Sequence, residues 1–174
     1  MIKIHFFKKL INIISENRGK ALDLGSGKGE YSNLLSENGW EVDSVDINLS
    51  LKKNYSDSKN TNFIHLDLEK KENENLKKKI KSKRYNLILL FRFLHRPLFD
   101  LIPSIIENKG FFFCETFMNY KTKKKLIKKK FLLEIDELLN LQMRNMRIIN
   151  FYQGKNDNKK QMIQSAIFRR NYHL

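Results

Sequence analysis

The chain has 174 residues and a formal net charge of +15 at pH 7, with 34 Lys and Arg against 19 Asp and Glu. That length suits one domain whose core folds without staples, here residues 1–174; the single cysteine, Cys114, excludes an internal disulfide, and the scattered histidines offer no Cys/His cluster of zinc spacing, so no metal is expected. Lysine far outnumbers arginine, and asparagine and isoleucine are abundant, a joint bias that an AT-rich genome imposes on any protein, so the charge alone is a weak argument for a nucleic-acid partner.

MIKIHFFKKLINIISEN places Ile2, Phe6, Leu10, Ile13 and Ile14 near one helical face, interrupted by Lys8, Lys9 and Glu16. It reads as an amphipathic helix within residues 1–18 that docks on the domain, not as a signal peptide. No apolar stretch approaches bilayer-spanning length, and a cytoplasmic protein is the expectation. KALDL is a short apolar strand and EYSNLLSENG a helix stopped at Gly39. WEVDSVDI is the second strand, NLSLKKNYSDS a second helix with Asn48 as N-cap, and NFIHLDL the third strand. KENENLKKKIKSK is polar and reads as a short solvated helix; RYNLILLFRF is nearly continuous in apolar residues, as a strand covered on both faces should be.

PLFDLIPSIIENKG predicts a helix with Pro97 in its first turn, a kink or a split in two at Pro103 and a stop at Gly110. GFFFCETF is the fifth strand, with Cys114 buried in it; the lysine-rich NYKTKKKLIKKK follows, and LLEIDELLNLQ predicts a helix. NMRIINFYQG and QMIQSAIFRR close the chain as two strands around the short turn KNDNK, and are therefore antiparallel to each other. Strand–helix alternation followed by such a hairpin implies an α/β fold: a mostly parallel, Rossmann-like sheet with helices on both faces.

The densest signal is GSGKG, directly behind the first strand. It lacks the G-x-x-x-x-G-K-[ST] of a phosphate loop, and a dinucleotide fingerprint would need a third glycine at position 30, which is Glu30. A carboxylate there opposes a pyrophosphate at the helix N-terminus. What remains is G-x-G-x-G, Gly25, Gly27 and Gly29, at the strand end where open parallel sheets bind ligands, or a tight strand-to-helix turn with no ligand. Strand two ends at Asp46, whose carboxylate can accept from both hydroxyls of a ribose; strand three ends at Asp67, which can accept from an adenine amino group. Asp23, two residues before the first glycine, either orients the loop or meets an amino group.

DLGSGKG, SVDIN, HLDL, YNLILLFRFLHRPL and NKGFFFCETF together resemble a class I S-adenosylmethionine-dependent methyltransferase over nearly the whole chain. The later stretch, FRFLHRPLF, the triplet Glu115, Thr116 and Phe117, then Phe131, Leu132, Leu133, Glu137 and Leu138, is similar to small stand-alone bacterial methyltransferases related to the tellurite-resistance type. The resemblance implies a seven-stranded sheet, S-adenosyl-L-methionine as cofactor, and a cofactor set of Asp23, Gly25, Ser26, Gly27, Gly29, Asp46, Ile47, Asp67, Leu68 and Phe91. The sequence departs from the N/D-P-P-Y/F motif after strand four, having FRFLHRP, which disfavours methylation of a base amino group on that pattern.

Methyl transfer from a sulfonium needs positioning and exclusion of water more than a triad. Candidates for the acceptor side follow strands four and five: His95 as base or positioner, Arg92 and Arg96 as binders of an anionic group or as partners of Glu115 or Asp100, and Glu115 itself. Tyr31 is expected to pack the first helix near the cofactor and His65 to pack in its strand. The expected acceptor is a small molecule; an RNA acceptor steered by Lys121 to Lys130, and a non-catalytic binding module, are the alternatives.

Overall fold

The computed structural model describes residues 4–55, 60–70, 78, 80, 82–120, 128–156 and 161–171. In chain order these hold α1 (Phe7–Glu16), β1 (Lys20–Leu24), α2 (Glu30–Glu37), β2 (Glu41–Asp46), a 3-10 turn at Leu49–Tyr55, β3 (Thr61–His65), β4 (Tyr85–Phe91), α3 (Pro97–Ile105), β5 (Ile106–Phe117), a short 3-10 turn at Lys129–Phe131, β6 (Met146–Lys155) and β7 (Met162–Arg170). The strands form one sheet in the order β3-β2-β1-β4-β5-β7-β6. β1 to β5 are parallel, and β7 inserts antiparallel between β5 and β6. This is the mostly parallel, Rossmann-like architecture that the alternation implied.

The central strands explain the continuous apolar runs. Leu22, Leu24 and Leu87 to Leu90 have no exposed surface, because both faces of β1 and β4 are covered. One face packs with α3 around Leu24, Ile88, Leu90, Ile102 and Phe112. The other receives α1 and α2 through Leu10, Ile14, Leu35 and Trp40. Leu10 and Ile14 of the N-terminal helix are buried there, and Phe6 and Ile13 are partly buried against the same cluster. Ile2 lies outside the described residues. No helix among them is long and apolar enough to cross a membrane.

Three local expectations need correction. LLEIDELLNLQ forms turns, not a helix. Leu133 bridges to Met118, Asp136 sits at φ 57, and the Gln164 side chain accepts from Leu138 N at 2.8 Å and donates to Glu134 O at 2.5 Å. This buried amide satisfies backbone groups that a helix would have paired internally. Next, α3 stops at Ile105, and Ile106 already pairs with Tyr85, so the segment IENK belongs to β5. The extra length is absorbed as a register shift between Tyr85 and Leu87, with Lys109 at φ 65. Pro103 falls in the last turn of α3 and does not split it. Finally, NLSLKKNY is 3-10 rather than α-helical, entered through Asn48, whose Oδ1 accepts from Ser50 N and Ser50 Oγ. Most of KENENLKKKIKSK, and residues 121–127 of the lysine run, lie outside the described residues.

Strand order reverses between β1, which leads outward to β2 and β3, and β4, which leads to β5. A crevice is therefore expected beyond the carboxyl ends of β1 and β4.

Candidate functional site

The loop after β1 occupies that crevice. Gly25 N and Ser26 N both donate to Val45 O, at 2.9 and 3.0 Å, which folds the loop back over the end of β2. Asp46 then clamps it: Oδ2 accepts from Gly27 N and Oδ1 from Asn48 N, each at 2.8 Å. Tyr55 closes the other side, donating its hydroxyl to Gly27 O at 2.9 Å and lying 2.9 Å from Ser26 Oγ. Burial of that phenol pushes its pKa up to about 12.

The three glycines face different neighbours. A Cβ on Gly29 would come within 2.6 Å of the Tyr55 ring, and one on Gly25 within 3.1 Å of Phe93. On Gly27, at φ 54, it would meet no heavy atom within 4 Å. Two glycines are thus small because the protein's own aromatic rings lie against them. Gly27 alone turns bare backbone toward open space.

Beside the loop is a cavity of about 190 Å³, lined by Gly25, Asp46, Ile47, Asp67, Leu68 and Phe93, with Leu66, Glu69 and Arg92 completing it. Ile47 is 59% exposed, an unusually open apolar side chain at the rim. Its carbonyl is held by His65 Nε2 at 2.8 Å, so His65 is a surface tether rather than a residue packed in the strand. Asp67 Oδ1 accepts from Glu69 N at 2.9 Å, which turns the chain away from β3 and leaves the half-buried carboxyl on the cavity wall. Two carboxylates at successive strand ends, apolar walls and an uncovered stretch of backbone fit a nucleoside: acceptors for sugar hydroxyls and a base amino group, and flat apolar contact for the ring.

The structure thus brings Gly25, Asp46, Ile47, Asp67, Leu68 and Arg92 into one cavity. It places the other residues named from sequence around it. Asp23 points to the α2 face, where Ser44 Oγ donates to Ser32 Oγ and Ser32 Oγ to Asp23 Oδ2, each at 2.7 Å. Burial raises its carboxyl to about 6, against the opposing hydrogen bond from Ser32. Ser26 is engaged with Tyr55. Phe91 packs edge-on to Tyr31 at 4.7 Å, on the face of β4 away from the cavity. Phe93 takes the place expected for it. The alternation Leu87, Leu89, Phe91 along one face was the signal that could have made this distinction.

On the acceptor side, Arg92 Nη2 pairs with Glu115 Oε1 at 2.7 Å, and the Glu115 carboxylate is fully buried. Glu115 Oε2 also accepts from His5 N at 2.7 Å, and the His5 ring stacks on Tyr152 at 3.5 Å. The segment before α1 therefore lies against the ends of β5 and β6. Tyr31, which also contacts the Ile4 backbone, has its phenol pushed well above the usual range by burial and then by Glu115. Arg96 makes a bidentate pair with Glu137, at 2.7 and 2.8 Å, and donates to Lys130 O and Leu132 O, both at 3.1 Å. Of the two partnerships foreseen for these arginines, the one with Glu115 is present; Asp100 is not the partner of Arg96. His95 lies on the loop entering α3, outside the cavity lining, and no hydrogen bond to its ring occurs among the described residues. No group of His, Cys, Asp and Glu that could hold a metal occurs among them either.

A mostly parallel crossover sheet with a cavity at its reversal point defines a Rossmann-like fold. The model of the methyltransferase domain family matches residues 3–156, and the chain belongs to that family. Among solved structures, TehB from Haemophilus influenzae is similar at 18% identity and a TM-score of 0.64, over 88% of this chain and 57% of its own. This chain thus spans little more than half of TehB. An rRNA methylase from Streptococcus thermophilus is similar at 16% identity and a TM-score of 0.65, over 99% of both chains. A 1,6-didemethyltoxoflavin-N1-methyltransferase from Burkholderia thailandensis, solved with 1,6-didemethyltoxoflavin and S-adenosylhomocysteine, is similar at 13% identity and a TM-score of 0.61, over 88% of this chain and 71% of its own. At these identities the likeness is one of fold. Comparison with curated proteins found no match. The family and its fold mark S-adenosyl-L-methionine as the cofactor.

Proposed function

We propose that the chain, as one domain, transfers a methyl group from S-adenosyl-L-methionine to a small-molecule acceptor. One observation carries this reading: Asp46 and Asp67, at the ends of neighbouring strands, line a single cavity beside a glycine loop whose central residue faces nothing. In this reading Asp46 accepts from the ribose hydroxyls, Asp67 from the adenine amino group, and Ile47 and Leu68 lie against the ring. Gly27 leaves room for the aminoacyl end, and Asp23 holds the loop from beneath through Ser32. When bound, the cofactor supplies a methyl already activated by the sulfonium charge, so the protein's work is to orient the acceptor and exclude water. Arg92, held by buried Glu115, forms a fixed wall between the cavity and the segment at His5. His95 takes the proton from an acceptor that must lose one. Because Arg92 and Arg96 are both neutralised internally, the mouth is built for positioning rather than for gripping an anion.

The test is incubation of the protein and an extract with methyl-labelled cofactor, followed by fractionation. Label in nuclease- and protease-resistant small molecules is expected. Label confined to RNA overturns this acceptor class and supports the second reading, an RNA methyltransferase. That reading is favoured by likeness to the Streptococcus thermophilus rRNA methylase over nearly its whole length and by exposed Lys129 and Lys130.

A further inference from the structure

Far from the cofactor cavity, a second concavity of about 490 Å³ opens at the opposite end of the sheet. Arg84 directly precedes β4, Arg144 and Asn145 precede β6, and Arg170 ends β7. β6 is parallel to β5 and β7 is antiparallel to both, so all three arginines fall at the amino-terminal end of the parallel strands. There they line the cavity together, and α3 supplies Asp100 and Ser104 as its other wall. Arg170 is held rigidly. Its Nη1 donates to Pro103 O at 2.7 Å and to Ile106 O at 2.5 Å, which pins the turn between α3 and β5 beside the cavity that Arg170 helps to line. Arg84 and Arg144 are exposed and line the same cavity, Arg84 donating from Nη1 to Lys83 O at 3.3 Å.

Arginine is the minor basic residue of this chain, with eight in all. Arg84, Arg144 and Arg170, three of those eight, line this one cavity, while Arg147 and Arg169 pair across β6 and β7 on the other sheet face, Arg169 over the Phe111 ring. Scattered lysines are what composition supplies; converging guanidinium groups repel one another and hold a fork geometry that matches phosphate oxygens. Three of them against the one carboxylate of Asp100 leave the cavity cationic.

We propose that this arginine-lined cavity binds a phosphate-bearing anion, at a site separate from methyl transfer. The same chemistry is offered by a free phosphorylated compound and by an RNA backbone, and two probes separate them. Calorimetry would titrate the full chain with sodium pyrophosphate, then with a short single-stranded RNA, and repeat both on Arg84→Ala/Arg144→Ala and on the control Lys8→Ala/Lys9→Ala. Saturable pyrophosphate binding is expected, weakened roughly tenfold or more by the arginine pair and little by the lysine pair. RNA that displaces pyrophosphate identifies a backbone as the source, and RNA that does not identifies a free phosphate compound. Absence of binding by both probes, or equal loss in the lysine control, overturns the proposal. If a thermal melt shows the double variant to be unfolded, Arg144→Gln serves in its place and the same outcomes apply.

Discussion

The glycine loop offers a perturbation that separates folding from ligand binding. Gly29→Ala places a Cβ 2.6 Å from the Tyr55 ring at φ 78. The left-handed backbone costs about 1–2 kcal/mol for alanine, and moving Tyr55 off Gly27 O and Ser26 adds about 1–3 kcal/mol more. Gly27→Ala carries only the first cost, because its Cβ meets nothing within 4 Å. Denaturant melts should therefore rank Gly29→Ala as the more destabilised by roughly 1–3 kcal/mol. Calorimetry with S-adenosylhomocysteine should reverse the emphasis: Gly27→Ala, still folded, loses about tenfold or more in affinity because its methyl group enters the space meant for the ligand. A folded Gly27→Ala protein with an unchanged dissociation constant would refute the claim that bare backbone at residue 27 serves the cofactor.

Asp46→Ala should weaken S-adenosylhomocysteine binding by about 1–3 kcal/mol, since it removes the proposed ribose acceptor together with the clamp on Gly27 N; equal affinity in calorimetry would contradict the ribose assignment. Arg92→Met should destabilise the fold by about 3 kcal/mol in urea, because it strands the buried Glu115 carboxylate, and a loss well under 1 kcal/mol would mean that this pair is not structural. Asp23, raised to about 6 by burial, binds its proton more tightly folded than unfolded. Its contribution to stability is thus present at low pH and lost as pH rises through about 6, amounting to about 2 kcal/mol between pH 4.5 and 7. Asp23→Asn should flatten that slope in denaturant melts at the two pH values, and a slope unchanged from the native chain would exclude Asp23 as its source. Arg96→Ala should speed tryptic cleavage after Lys129 and Lys130, since it frees the segment that the Glu137 pair holds; an unaltered digestion pattern would count against the clasp.

What could be read in advance followed periodicity and strand ends. The apolar run of β4, the alternating order of elements and the closing hairpin point to a mostly parallel sheet, because strands buried on both faces need helical crossovers and few arrangements satisfy them. Asp46 and Asp67 were legible because a carboxylate at a strand end is conspicuous among apolar neighbours. Phe93 and Tyr55 were not, because aromatic side chains past the end of a strand or within a 3-10 turn carry no period. The turns at 132–142 escaped notice because their pattern is helical, while the deciding partner, Gln164, lies on β7. Arg92 and Glu115 were picked out as reactive groups, and their pairing emerges only from the register that sets Phe91 beside Glu115.

The most direct measurement is calorimetric titration of the native chain with S-adenosylhomocysteine. The proposed cofactor site, the cavity lined by Asp46 and Asp67 beside Gly27, predicts saturable binding of one ligand per chain, accompanied by a rise in melting temperature. A flat titration with no thermal stabilisation would contradict it.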